Sequence, residues 1–324
     1  MQSLLDPPIL FFLLGLLAGA LRARLEVPPQ IAKFLSLYLL MALGLKGGFA
    51  LAESGLQAEM LGSLGAALLL SAGVPLLGYA LLRRVVSGFD AAAIAAAYGS
   101  VSAVGFVTML QHLEGIGTPA SGHMVVAMVL MESPAILVAV LIAHRLRRQQ
   151  PSSGHAPPAL SAILREAFTD GPLVLLLGAM GVGLLSGEPG RIVMQPFSGD
   201  LFKGMLAFFL LDMGLLVARQ FGSARNSPPL LLAYAIAGPL VHAALALGLA
   251  WLLGLGAADG AVLMLLAASA SYIVVPAALR EAIPEANPAL YLGLSLGISF
   301  PFNLVAGIPL YTGLAQRLLG QSGP

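Results

Sequence analysis

The sequence predicts an all-α membrane protein of ten transmembrane helices, built as two inverted five-helix repeats with a broken crossing helix in each. Three observations carry that expectation. The chain is 58% hydrophobic and only 10% charged over 324 residues, against about 25% charged residues in an ordinary soluble domain. Apolar runs recur that are long enough to cross a bilayer, which takes about 20 residues and at least about 17. Two distant runs, "AYGSVSAVGFV" and "LAASASYIVVPAA", carry Ser and Gly where a spanning helix normally carries Leu or Val.

Composition also removes whole classes of function. The chain has no Cys, which excludes disulfides, thiolate metal sites and a cysteine nucleophile. A net charge of +1 leaves no case for nucleic-acid binding. No Lys or Arg precedes the first apolar run, and Asp6 does. That run therefore reads as a first helix rather than a signal peptide, which needs a basic leading region.

The spans fall near 7–22, 31–50, 61–82, 90–110 and 124–144, then 172–187, 201–218, 229–253, 258–279 and 289–314. The first, sixth and seventh sit close to the short limit, and the tenth is long enough to tilt or break. Between the fifth and sixth lies "HRLRRQQPSSGHAPPALSAILRE", whose Pro, Ser and Gly mark it as the linker. The domain division is therefore 1–145 for the first repeat, 146–165 for a cytoplasmic linker and 166–324 for the second repeat. With both termini outside, 12 of the 16 Lys and Arg residues fall on cytoplasmic connections, as the bias of basic residues toward the cytoplasm requires. Five spans on each side of the linker make the halves enter the membrane in opposite directions.

The halves also align. Ser100 pairs with Ser269, Ser102 with Ser271 and Asp90 with Asp259, all at an offset of 169. "LMALGLKGG" matches "LDMGLLVAR" with Gly44 over Gly214 at an offset of 170, and Pro134 lies over Pro301 at 167. Inverted repeats are common in secondary transporters, whose sites lie at the repeat interface near the bilayer midplane.

The softened runs suit such a site. Gly99 and Gly105 tolerate unusual dihedrals, Ser hydroxyls can satisfy freed backbone groups, and Pro276 removes a helical hydrogen bond. An opened helix presents a half-helix N-terminus with free amides and about half a positive charge. Two such ends meeting would hold a small anion without Lys or Arg. Freed carbonyls, hydroxyls and the Asn303 amide would suit a hard cation such as Na⁺. The ordinary role of small residues in membrane helices is close packing, and the symmetric recurrence tips the balance toward a site.

Other polar residues are weighed the same way. Asp212 and Glu132 lie inside their spans and are candidates for coupling or for structural hydrogen bonds. Lys46, near the outer end of its span, reads as structural and snorkelling. His242 reads as locally satisfied, and no His pair has metal-ligand spacing, so no transition-metal centre is expected. Catalytic motifs such as G-x-S-x-G and H-E-x-x-H do not occur, so the chain is not expected to be an enzyme. An intramembrane serine hydrolase, a proton-coupled transporter or antiporter, and a membrane receptor that moves nothing stand as rival readings.

The strings "LSLYLLMALGLKGG", "AYGSVSAVGF", "ASASYIVVPAA" and "FPFNLVAGIPLY" together resemble the sodium-dependent bicarbonate transporter family, the SbtA-like proteins, over nearly the whole chain. The resemblance implies a Na⁺/HCO₃⁻ symporter of the bacterial inner membrane with a mobile core and a gate domain, working as an elevator. It implies a homotrimer embedded in membrane lipid, with a PII-like regulatory protein (SbtB-like) acting from the cytoplasm in carbon-concentrating cells. Na⁺ would be the coupling ion, with no other cofactor. Carried onto this sequence, the substrate set is Gly99, Ser100, Val101, Ser102, Ala270, Ser271 and Tyr272. The sodium set is Ser102, Gly105, Ala268, Ser269 and Asn303. The linker is shorter than the regulatory loop of the better-known members, and a site of hydroxyls and amides does not by itself select bicarbonate over another small anion.

Overall fold

Proline sets where many of the helices begin. A computed structural model describes residues 6–54, 58–149, 171–225 and 227–320. Within it α1 spans Pro7–Ala20, α2 Pro29–Ser54 and α3 Ala58–Leu82. The interrupted pair α4 (Gly88–Gly99) and α5 (Ala103–Gly115) follows, then α6 (His123–Glu132) and α7 (Pro134–Gln149). Proline at the first helical position loses nothing, because that amide has no intrahelical partner. Ser133 separates α6 from α7, one residue before Pro134, which has no amide to donate to the preceding turn. The linker expected at 146–165 lies outside the described residues from 150 to 165, and its first four residues continue α7.

The second half holds α8 (Gly171–Gln195), α9 (Phe202–Arg225) and α10 (Pro229–Leu252). A second interrupted pair, α11 (Ala257–Ala268) and α12 (Val274–Ala282), is followed by α13 (Pro288–Leu318). Gly187 has φ +52° and bends α8 there, which is where the sixth span was expected to stop. A wider π turn, Pro196–Asp200, then leads into α9. The long tenth segment stays continuous but loosens into π turns at Ser295–Ser299 and Asn303–Gly307.

Among the described residues, seven helices are long and apolar enough to cross a membrane, and Pro7–Ala20 and Ala257–Ala268 are shorter apolar helices. Large apolar side chains point outward along them, such as Leu69, Leu77, Leu185 and Val241. In water that would be costly, but a hydrocarbon solvent satisfies it. The protein is thus an all-helical, multi-pass membrane protein.

Packing gathers the helices into two groups. In the first, α1 lies along α9, α2 lies along α8, and α2 also touches α9. Both long crossings are glycine contacts. A Cβ at Gly15 would collide with the Leu211 carbonyl and one at Gly214 with that of Phe12. On the other pair, Gly44 faces the carbonyl of Leu176, Gly48 that of Met180 and Gly183 that of Leu45. Such backbone approach gives membrane helices close dispersion contact over a long surface.

The second group surrounds the interrupted helices. There α4 packs on α3 and α7, α11 packs on α10 and α13, and α3 meets α10. Ala91 to Gly99 are buried without exception, as are Gly260 to Ala268. A helix apolar on every face belongs in an interior, and these two run through the middle of their group. Each is clamped at its start. Asp90 Oδ1 accepts from the Asn287 amide at 2.7 Å, and Asp259 Oδ1 accepts from the Ser121 amide at 2.8 Å. The acid at the head of each interrupted helix thereby ties down a loop of the other half.

Candidate functional site

Both helices break at the aligned serines. The chain is extended at Ser100 (φ −98°, ψ −177°) and Ser102 (φ −105°, ψ 108°), between α4 and α5. In the second half it is extended at Ser269 (φ −77°, ψ 164°), and α12 resumes at Val274. Ser102 Oγ accepts from the Gly105 amide at 3.2 Å, and Ser271 Oγ accepts from the Val275 amide at 3.3 Å. Each hydroxyl satisfies one of the orphan donors of a new helix start. The other amides of those first turns carry the positive end of a helix dipole.

The breaks cross. The Ser102 amide donates to Ser269 Oγ at 3.1 Å, and the Ser271 amide donates to the Ala97 carbonyl at 2.8 Å. Ser269 Oγ in turn donates to the Leu266 carbonyl at 2.8 Å. Ser100 Oγ donates to the Glu132 carbonyl at 3.1 Å, and Asn303 Nδ2 donates to the Ala268 carbonyl at 2.8 Å. Tyr311 Oη donates to Asn303 Oδ1 at 2.9 Å, which fixes which way the amide faces. Buried polar groups need partners, and this network supplies them between the two halves.

A cavity of about 80 Å³ opens beside the crossing. One wall is the start of α5 (Ser102, Ala103, Val104) and the start of α12 (Ser271, Tyr272, Ile273, Val274), with Glu132 at its edge. Tyr272 Oη lies 3.5 Å from Ser102 Oγ, joining the two starts. The facing wall comes from the four-helix group: Leu39 and Leu40 of α2, Leu176 of α8 and Phe209 of α9, with Ser36 beside them. One side therefore offers hydroxyls and amides, and the other is mostly apolar.

The residues read from sequence divide by depth. Val101, Ser102, Ser271 and Tyr272 line the cavity, as does Glu132. Gly99 sits behind it against Pro75 and Ala135, and Ser100 and Ala270 are buried within the crossing. Of the sodium set, Ser102, Ala268, Ser269 and Asn303 share the hydrogen-bonded network, and Gly105 contributes its amide to the Ser102 cap. Asp212 is buried on α9, three residues beyond the lining residue Phe209. The apolar wall was missed from sequence. Ser36, in "LSLYLL", was the single polar signal for it. Lys46 does not simply snorkel: its Nζ pairs with Glu114 Oε1 of α5 at 3.0 Å.

Two interrupted helices with their N-termini at one cavity, in an all-helical membrane protein, define a protein of the secondary-transporter class. The sequence model of the Na⁺-dependent bicarbonate transporter superfamily matches residues 7–316, and the chain belongs to that family. It is a family of transporters, not of enzymes. Comparison with curated proteins gave no match.

Proposed function

We propose that the chain is a sodium-coupled symporter that imports bicarbonate across a bacterial inner membrane by an elevator motion. The observation that carries this reading is the pair of helix starts facing a single cavity, one N-capped by Ser102 and the other with Ser271 Oγ accepting from its Val275 amide. An anion there is held by backbone amides and by the hydroxyls of Ser102, Ser271 and Tyr272. Helix N-termini bind anions without a formal countercharge, so the anion need not be neutralised by a buried Lys or Arg. Na⁺ would take oxygen ligands from the crossing behind: the Ser269 hydroxyl, the Ala268 carbonyl and Asn303. Coupling follows when each ion reduces the cost of desolvating the other, because opposite charges attract strongly in a low-dielectric site.

The inverted repeat has support beyond the alignment. The Gly214 contact between α9 and α1 corresponds to the Gly44 contact between α2 and α8. The reciprocal Asp90 and Asp259 clamps correspond likewise. Residues 1–145 and 166–324 are proposed as the repeats, giving ten spans with both termini outside. The second helix group is proposed as the moving core and the four-helix group as the gate. The apolar wall of Leu39, Leu40, Leu176 and Phe209 favours sliding, since few hydrogen bonds must break as the site passes. A homotrimer and a PII-like cytoplasmic regulator rest on the family resemblance alone.

The deciding experiment is a panel of anions and driving ions with purified protein in liposomes. The reading predicts that bicarbonate competes best and that a Na⁺ gradient drives uptake. Better competition by another small anion would replace the substrate, and uptake driven by a proton gradient alone would replace the coupling ion.

A further inference from the structure

A second cavity, of about 350 Å³, lies further along α2, α5 and α6 than the candidate site. The two are one helical turn apart on each helix: Leu40 and Leu43 on α2, Val107 and Leu110 on α5, Met128 and Val125 on α6. The second cavity is lined by charged groups, among them Lys46, Glu53, Glu114 and Arg191. Across it runs the ion pair between Lys46 of α2 and Glu114 of α5, at 3.0 Å.

That pair stands apart from the other polar contacts. Other long-range side-chain hydrogen bonds described here keep to one helix group or the other. Tyr38 to Phe197 and Arg219 to Glu26 stay within the four-helix group. Arg147 to Glu285, Tyr98 to Ser299 and Thr312 to Met109 stay within the group that carries the site. Lys46 to Glu114 crosses from one to the other.

Each partner is also positioned by its own group. Lys46 Nζ sits 4.6 Å from the centre of the Phe202 ring of α9, a cation–π contact. Gln111 Nε2 of α5 donates to Glu114 Oε2 at 2.8 Å. Neither charge needs the other to hold its place, so the pair can part and re-form without reorganising either side. Its side chains are 25% and 39% exposed, and half-exposed pairs are weak and easily exchanged for water. By the alignment of the halves, Lys46 corresponds to Leu216 and Glu114 to Ile283. The two aligned positions in the second half are therefore uncharged.

We propose that Lys46 and Glu114 form a reversible latch between the two helix groups, made in the conformer described here and broken when the group carrying the site moves. The latch rests on the transport reading, since it presupposes relative motion of the groups. It biases the equilibrium between conformers and leaves the binding groups untouched.

The chain contains no Cys, so thiol chemistry can be aimed at two positions. In Lys46→Cys/Glu114→Cys protein in liposomes, a short cleavable bis-maleimide should reduce Na⁺-driven bicarbonate uptake to background, and cleavage of the spacer should restore it. The pair Glu26→Cys/Arg219→Cys, within one group, should keep its uptake when cross-linked. Full cross-linking at 46 and 114 with uptake retained would overturn the latch. Spin labels at the same two positions give an answer independent of uptake. Two distance populations whose ratio moves with Na⁺ and bicarbonate support the latch, and one unmoving distance overturns it. Absence of uptake by the unmodified protein would count against the transport reading, and the distance populations would still decide the latch.

Discussion

Ser102 ends the first break as the N-cap of α5, Ser271 lies three residues before the first residue of α12, and each accepts from an amide of the helix that follows. Replacing either by Ala removes a hydrogen bond to a helix-start amide, worth about 1 kcal/mol, and a hydroxyl from the cavity wall. Ser102→Ala and Ser271→Ala should each raise the apparent Km for the anion roughly five-fold or more, since about 1.4 kcal/mol is a tenfold change. Radiolabelled uptake at varied substrate measures it, and unchanged kinetics in both would reduce these serines to packing. Asn303 acts differently, bridging the Ala268 carbonyl and Tyr311. Asn303→Ala leaves that carbonyl and the Tyr311 hydroxyl without these partners, so it should lower thermal stability by about 1–3 kcal/mol and weaken Na⁺ activation of uptake. These serines were legible in the sequence because paired Ser residues, flanked by small residues, recur at one offset in the two halves. Glu132 and Asp212 looked alike there. Only packing separates Glu132, at the cavity edge, from Asp212, buried on α9.

At the scale of elements, interruption and close crossing do the organising. On the proposed reading, the interrupted helices would need no charged side chain to bind an anion, because their starts carry partial positive charge. The glycine crossings make α1 with α9, and α2 with α8, into closely joined pairs. Gly48→Ala and Gly214→Ala would each drive a methyl group into a facing backbone carbonyl. Overpacking of that kind costs about 1–3 kcal/mol, so both variants should melt at lower temperature in detergent, while Gly178→Ala, with open space at its Cβ, should not. The helices themselves were legible from hydropathy, since lipid demands long apolar runs. The apolar wall of the site was not. Leu39, Leu40, Leu176 and Phe209 carry no feature that distinguishes a side chain facing a cavity from one facing lipid. The bend at Gly187 and the π turns of α13 likewise depend on tertiary packing, although Gly and Pro residues lie close to each.

For the whole molecule, the two helix groups meet at a cavity that is polar on one side and mostly apolar on the other. On the proposed reading, that asymmetry would let the polar side carry its ions as a unit while the apolar side bounds the path. The proposed correspondence of the halves rests on sequence, as an alignment at nearly constant offset. Sequence could not supply the contact between Lys46 and Glu114, which are far apart in the chain and look like unrelated surface charges. The central claim is that the paired helix starts bind bicarbonate together with Na⁺. The most direct measurement is uptake of radiolabelled bicarbonate into proteoliposomes with an inwardly directed Na⁺ gradient, compared with K⁺ in its place and with an imposed proton gradient. The account predicts accumulation that requires Na⁺ and collapses when the Na⁺ gradient is dissipated; uptake indifferent to Na⁺, or following only the proton gradient, would contradict it.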